Sequence, residues 1–286
     1  MFGYHTNILN KSFKKSIENA YKISNINAFQ IFISSPLQLK LPKHDEEDII
    51  ECKEYVNKNN FFLVSHATYL LNTGTKDKFK YKVEVALGDL LCAEKIGAVG
   101  SIFHTGKHLK LPIDECVQNM FEFISVVIEE LKKINSKSIF ILETSSASGT
   151  ELLSNMEDFG EFYHKFSKKQ QENLKVCIDT CHVFSAGYSL KSKSDVQKYI
   201  KTVDKYIGWN NVLLIHLNDS KKDCGCHVDR HENLCIGCIG KDDETGFQHF
   251  VKYCVSKNIP LILETPDDED KYHSKELEQI KKWLNI

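Results

Sequence analysis

The sequence predicts a single (β/α)8 TIM barrel formed by all of residues 1–286. Three observations carry this: eight short apolar runs alternate with segments of helical spacing, the length suits one barrel, and side chains able to bind metals gather at the carboxyl ends of the runs. An open doubly wound sheet satisfies the alternation equally well. The placement of the chemistry favours the barrel.

The runs fall at 2–6, 28–34, 61–66, 99–104, 139–143, 174–179, 212–216 and 260–264. Each is short, largely apolar and bounded by polar residues, as strands are. Between the third and fourth runs, Phe79, Val83, Leu87, Leu90 and Leu91 share one helical face; between the fourth and fifth, Phe121, Ile124, Val127, Ile128 and Leu131 do the same. No repeat, linker or low-complexity tract divides the series.

Composition narrows the classes. Hydrophobic residues make up 42% and charged residues 27%, as in soluble globular domains. The opening MFGYHTNILNKSFKKS has no apolar signal core, and no run approaches the ~18 apolar residues of a membrane span, so a soluble intracellular protein is expected. Ten scattered cysteines read as buried thiols or metal ligands ahead of disulfides. The net charge of −2 lacks the basic footprint of a nucleic-acid protein unless bound cations change the sum.

Six runs end alike: FFLVSH at His66, SIFH at His104, FILE at Glu143, VCID at Asp179, LLIH at His216 and LILE at Glu264. Any one alone reads as a solvated or capping group, but six converge on one barrel mouth. His182 lies three residues after Asp179, and Asp229 two before His231, which extends the set to nine. Four carboxylates at close range cannot all ionise without a cation among them. One ion cannot use nine ligands; three can. Imidazole with carboxylate favours Zn2+, then Mn2+, both suited to hydrolysis. The stretch HLNDSKKDCGCHVDRH therefore owes its polarity to ligands: it runs from His216 to His231 and includes Asp229 and the single arginine of the chain, Arg230.

The runs VSHATYLLN, IFHTGKH, ILETSSASG, VCIDTCHVFSAGY, HLNDSK, VDRHENL and LILETP follow one another along nearly the whole chain. Together they resemble endonuclease IV, the zinc-dependent apurinic/apyrimidinic (AP) endonucleases of the xylose-isomerase-like barrels. The resemblance implies three Zn2+, with Mn2+ admissible at one site. His66, His104 and Glu143 would hold the first; Glu143 would bridge to a second held also by Asp179, His216 and Glu264; His182, Asp229 and His231 would hold the third. It implies catalytic roles for Glu143 and Glu264, and cleavage of duplex DNA 5′ to an abasic site, leaving a 3′-hydroxyl and a 5′-deoxyribose phosphate. Removal of 3′-blocking groups would be a second activity. A monomer is expected, without membrane contact, wherever the DNA lies: cytoplasm, nucleus or viral factory.

A lesion without a base must be read through backbone and deformability. Tyr69 and Leu70 stand where the family has residues that wedge into the stack, an apolar insertion that suits a kinked duplex. Leu37 departs from the family, which has Arg after the Pro; it either serves as an apolar wedge or the role is lost. Lys107, Lys110, Lys221 and Lys222 are candidate phosphate contacts, and Arg230 suits either phosphate or a structural carboxylate. Three Zn2+ would carry the formal charge from −2 to +4 with the histidines neutral, all of the increment at the barrel mouth.

Cys224, Cys226, Cys235 and Cys238 sit in one 15-residue window as CGC and CIGC, and spacing leaves free thiols, a disulfide or an additional metal open. Of the histidines outside the nine, His108 and His227 are near enough in sequence to reach substrate; His5, His44, His164, His249 and His273 read as surface or packing residues. The rival function is a metal-dependent sugar isomerase or epimerase on the same barrel. It accounts for Glu143, Asp179, His216 and Glu264 but leaves His182, Asp229 and His231 without a task.

Overall fold

In the computed structural model, which describes residues 1–266 and 273–286, eight parallel strands close into a barrel. They are β1 (Phe2–His5), β2 (Ala28–Phe32), β3 (Phe62–His66), β4 (Gly100–Phe103), β5 (Ile139–Glu143), β6 (Leu174–Asp179), β7 (Val212–His216) and, after a two-stranded ribbon of β8 (Asp219–Ser220) and β9 (His231–Glu232), β10 (Leu261–Leu263). β1 pairs with both β2 and β10, which completes the ring.

The bounds expected for β5, β6 and β7 match the observed ones, while the other strands differ by a residue or two at one end or both. His104 and Glu264 thus lie just past β4 and β10. Glu264 has left the ladder because its N–H donates to Asn218 Oδ1 at 2.8 Å.

Two apolar layers follow from period-2 strands. Alternate strand residues point inward, where Ala28, Phe62, Val64, Ile102, Ile141, Cys177, Leu214 and Ile262 form a closed interior cluster. The other set packs outward on the helices, in the larger core that includes Phe29, Leu63, Phe140, Leu142 and Ile178.

The two helical faces read from sequence are buried to different degrees. In the helix Ile113–Lys133, Ile124, Val127, Ile128 and Leu131 are buried, with Phe121 half-buried against the core. In the helix Phe79–Lys95, Val83 and Leu90 are buried, but Phe79, Leu87 and Leu91 are only partly covered, and the inner face includes Lys82 and Asp89. Lys82 is accommodated because Nζ donates to Asn72 O (2.7 Å), Thr75 O (2.6 Å) and Thr75 Oγ1 (3.1 Å), which ties down the loop after β3.

Candidate metal centre

Strand alternation aims the ligand candidates. Val64, Ile102, Ile141, Cys177, Leu214 and Ile262 all face the barrel interior. Two residues further on, and therefore on the same side, stand His66, His104, Glu143, Asp179, His216 and Glu264. The candidates cap the apolar interior at its carboxyl end.

The remaining three are delivered by local structure. Asp179 ends β6 and also N-caps the short helix Thr180–Ser185, its side chain accepting from the His182 N–H at 3.0 Å. That turn swings His182 over the mouth. The ribbon pairs Ser220 with His231 and Asp219 with Glu232, folding the 216–231 stretch back on itself. His231 and Asp229 thereby return beside His182, with His231 Nε2 and His182 Nε2 each 3.3 Å from an Asp229 oxygen.

Among the described residues, five groups bring ligand-capable atoms within 4.8 Å of one another: the three expected sets, His66, His104 and Glu143; Glu143, Asp179, His216 and Glu264; His182, Asp229 and His231; and two that include a buried thiol, Cys177 with Glu143 and His216, and Cys181 with Asp179 and His231. Glu143 belongs to two of the expected sets. Its Oε2 faces His66 Nε2 at 3.5 Å and His104 Nε2 at 3.1 Å, while Oε1 lies 2.7 Å from His216 Nδ1. Asp179 Oδ2 likewise lies 3.8 Å from His216 Nδ1 and 3.5 Å from His231 Nε2.

The histidines are set by their outer nitrogens. Nδ1 donates to Ala67 O in His66 (2.8 Å), to Thr144 O in His182 (2.8 Å) and to Glu264 O in His231 (3.2 Å), leaving each Nε2 turned to the carboxylates. Glu143 Oε2, His182 Nε2 and His231 Nε2 are buried without a hydrogen-bond partner. Orphaned atoms of this kind cost about 1–3 kcal/mol each unless satisfied. Three of them turned into one cavity, among imidazoles and carboxylates, fit bound Zn2+.

Electrostatics agree. Burial alone would raise the Glu143 carboxyl, but His216 and His104 hold it well below the usual carboxylate range. Burial opposes charge on His231 too, yet Asp179, Asp229 and Glu264 lift it to about 9. Glu264, buried but facing His216, is held at about 2. Without a cation, protons on the histidines neutralise the acids.

The mouth opens into a cavity of about 240 Å³ walled by His66, Tyr69, His104, Glu143, His182 and Glu264. Tyr69 lies edge-on to His66 and His104, at 5.3 and 5.4 Å between ring centroids, and is half exposed. Leu70 and Leu37 are exposed beside it, and the Tyr69 N–H donates to Pro36 O at 3.0 Å, which joins the two loops. The loop after β4 joins as well: Asn72 Oδ1 accepts from Lys107 N at 2.8 Å, and a Cβ on Gly106 would fall 2.5 Å from Gly74 N. Lys107 lines the cavity with Nζ 3.6 Å from Glu151; Lys110, Lys221 and Lys222 are exposed nearby in sequence. Arg230 is exposed and donates to Asp229 O at 2.7 Å, so part of its fork braces its own loop.

Sequence reasoning missed three members of the mouth: Gln30, His5 and the buried Asn218, whose Nδ2 donates to Asp179 Oδ2 at 2.7 Å. Gln30 is fully buried and touches both His216 and Glu264, and His5, read as a surface or packing residue, bonds to Gln30. The available signal was a lone amide inside the apolar run AFQIF, in step with inward-facing Ala28. Asp219 does more than add polarity to its loop: it accepts backbone N–H groups of Ser220, Cys235, Ile239 and Gly240 and so organises the CIGC turn. Cys224, Cys226, Cys235 and Cys238 are free thiols. Among the described residues they join no metal-capable group, and no helix is long and apolar enough to cross a membrane.

A family profile described as xylose isomerase-like TIM barrel matches residues 18–285. A Clostridium botulinum protein named "Probable endonuclease 4" is 34% identical over 274 residues, covering 95% of this chain and 94% of its own. The crystal structure of endonuclease IV from Thermus thermophilus superposes with a TM-score of 0.83 at 24% identity, covering 99% and 98% of the two chains. A D-tagatose 3-epimerase-like protein shares the fold at a TM-score of 0.73 and 17% identity, with 99% and 97% covered. Sequence likeness over nearly the full length, on a closed barrel with these ligand groups at its mouth, places the chain in the endonuclease IV family of xylose isomerase-like TIM barrels.

Proposed function

We propose that the protein is a monomeric DNA-repair AP endonuclease that cuts duplex DNA 5′ to abasic sites and also clears 3′-blocked ends, using three Zn2+. The reading rests above all on one observation: the three expected ligand sets share one mouth, with Glu143 common to two of them and buried atoms left over for cations. His66, His104 and Glu143 would hold one ion, Glu143, Asp179, His216 and Glu264 the second, and His182, Asp229 and His231 the third. Zinc bound there supplies Lewis-acid polarisation of the phosphate and a lowered pKa for water.

The chain's own groups do the rest. Glu264 lines the cavity as a carboxylate, so it can accept the proton of the attacking water. A bond forms between water oxygen and phosphorus, the bond from phosphorus to the upstream O3′ breaks, and that oxygen leaves to become the 3′-hydroxyl. Glu143 holds the first and second groups in register. Tyr69, Leu70 and Leu37 fill the space left in the stack, while Lys107, Lys110, Lys221 and Arg230 face phosphates.

The test pairs zinc analysis with incision of a duplex carrying one tetrahydrofuran abasic analogue. About three zinc per chain and a cut 5′ to the analogue are expected. A protein that ignores this duplex yet converts a free ketose would overturn the reading in favour of a sugar epimerase.

A further inference from the structure

Among the buried polar side chains of the barrel mouth that lie outside the ligand groups, Gln30 touches two members of the second group. Gln30 is 0% exposed, sits on β2, and makes three hydrogen bonds at once. Its Oε1 lies 2.7 Å from His216 Nε2; its Nε2 lies 2.5 Å from Glu264 Oε1 and 2.9 Å from His5 Nδ1.

Donor and acceptor rules leave one arrangement. An ionised Glu264 can only accept, so the amide nitrogen must face it, which turns the amide oxygen to His216. That oxygen can only accept, so His216 must carry its proton on Nε2. The nitrogen left for a cation is Nδ1, the one that faces Glu143 at 2.7 Å, Glu264 at 3.0 Å and Asp179 at 3.8 Å. His66, His182 and His231 are held the opposite way, with Nδ1 at a backbone carbonyl and Nε2 inward. His216 is the exception, and Gln30 is the reason. The same amide occupies Glu264 Oε1, which leaves Oε2 as the oxygen turned to His216 Nδ1. His5 closes the chain by accepting the second amide proton.

We propose that Gln30 is a positioning residue of the second group, fixing the Nδ1-facing tautomer of His216 and the single-oxygen presentation of Glu264. This rests on the metal reading above. It acts through His216 and Glu264 rather than on the phosphate or the attacking water.

The experiment uses the full chain loaded with zinc and two variants. Gln30→Met keeps length and removes every hydrogen bond; Gln30→Glu keeps the acceptor for His216 and removes the donor for Glu264. Chelator competition reads zinc affinity site by site, 15N NMR reads the His216 tautomer, and thermal unfolding of the metal-free forms controls for folding. Gln30→Met should weaken one zinc of three by about 10–100-fold, as loss of an outer partner does, and mix the His216 tautomers while the other two sites hold. Gln30→Glu should keep the Nε2–H form of His216 yet also weaken that one site. If either folded variant binds three zinc with wild-type affinity, the positioning role is wrong. A wild-type chain that binds no zinc sinks the metal reading itself and this proposal with it.

Discussion

Glu143 and His216 meet at 2.7 Å although their strands, β5 and β7, are not neighbours in the barrel. β6 lies between them and contributes Asp179 to the same group. A contact that skips a strand exists only because the barrel is closed and narrow enough for inward side chains to touch across it. Since Glu143 Oε2 serves the first group and Oε1 the second, Glu143→Gln should uncouple both. Incision of the abasic duplex should fall by ~10²–10³-fold, the scale of losing one preorganised electrostatic contact at the reacting centre, with circular dichroism unchanged. Turnover within tenfold of wild type would refute the bridging role.

Removing metal should cost stability as well as activity. Chelated protein keeps three buried atoms without partners, on Glu143, His182 and His231. Zinc at ~1,000 times its dissociation constant stabilises the fold by about 4 kcal/mol per site, so calorimetry should show the loaded form melting roughly 7 °C higher for the first such site alone. Coincident melting curves with and without chelator would contradict a zinc-bound native state.

Much of this site is legible in the sequence because alternation is a strict rule: a strand whose apolar residues face inward must turn its residue two places on to the same side. Val64 and His66, or Ile141 and Glu143, are such pairs. What resists reading obeys no such period. Gln30 matters through hydrogen bonds to β7 and to the end of β10, distant in sequence. Lys82 and Asp89 sit on the inner face of an amphipathic helix because loop carbonyls and Ser34 meet them there. His104 and Glu264 are legible although their strands stop one residue short, since the inward direction persists past the last ladder bond.

The exposed trio Leu37, Tyr69 and Leu70 should divide unequally. Tyr69 is braced by His66, His104 and Phe32, whereas Leu37 is 71% exposed at a loop tip. A preorganised wedge loses more on truncation than a mobile one. Tyr69→Ala should raise the dissociation constant for abasic duplex about 10–100-fold, and Leu37→Ala less than fivefold, by fluorescence anisotropy at fixed salt. The reverse ranking would move the wedge to the loop after β2.

Salt sensitivity separates the cations. Each phosphate contact contributes about 0.9 to the slope of log affinity against log salt. Lys107 is partly engaged by Glu151 at 3.6 Å, while Lys110 has no ion-pair partner among the described residues. Lys110→Ala should therefore lower the slope by about 0.9 and Lys107→Ala by less. Equal, unchanged slopes would take both residues out of the DNA interface.

Asp89 offers a stability test independent of metal. Its carboxyl is 1% exposed, accepts one hydrogen bond from Ser34 Oγ at 3.1 Å, and has Oδ2 unpartnered. Burial, only partly offset by Ser34, raises its pKa from 3.8 to about 7. Below the unfolded value both states are protonated and nothing is lost. Between about 4 and 7 the unfolded chain releases the proton while the folded protein keeps it, so stability falls as pH rises and levels off above the folded value. Asp89→Asn cannot ionise and should escape this loss. The stability difference between Asp89→Asn and wild type should move in favour of the variant by up to about 4 kcal/mol from pH 4 to pH 8, since each pH unit between the unfolded and folded values costs the wild type ~1.4 kcal/mol. Urea unfolding of the metal-free proteins at several pH values reads it directly, and a difference that stays flat across that window would show that Asp89 ionises in the fold as readily as in water.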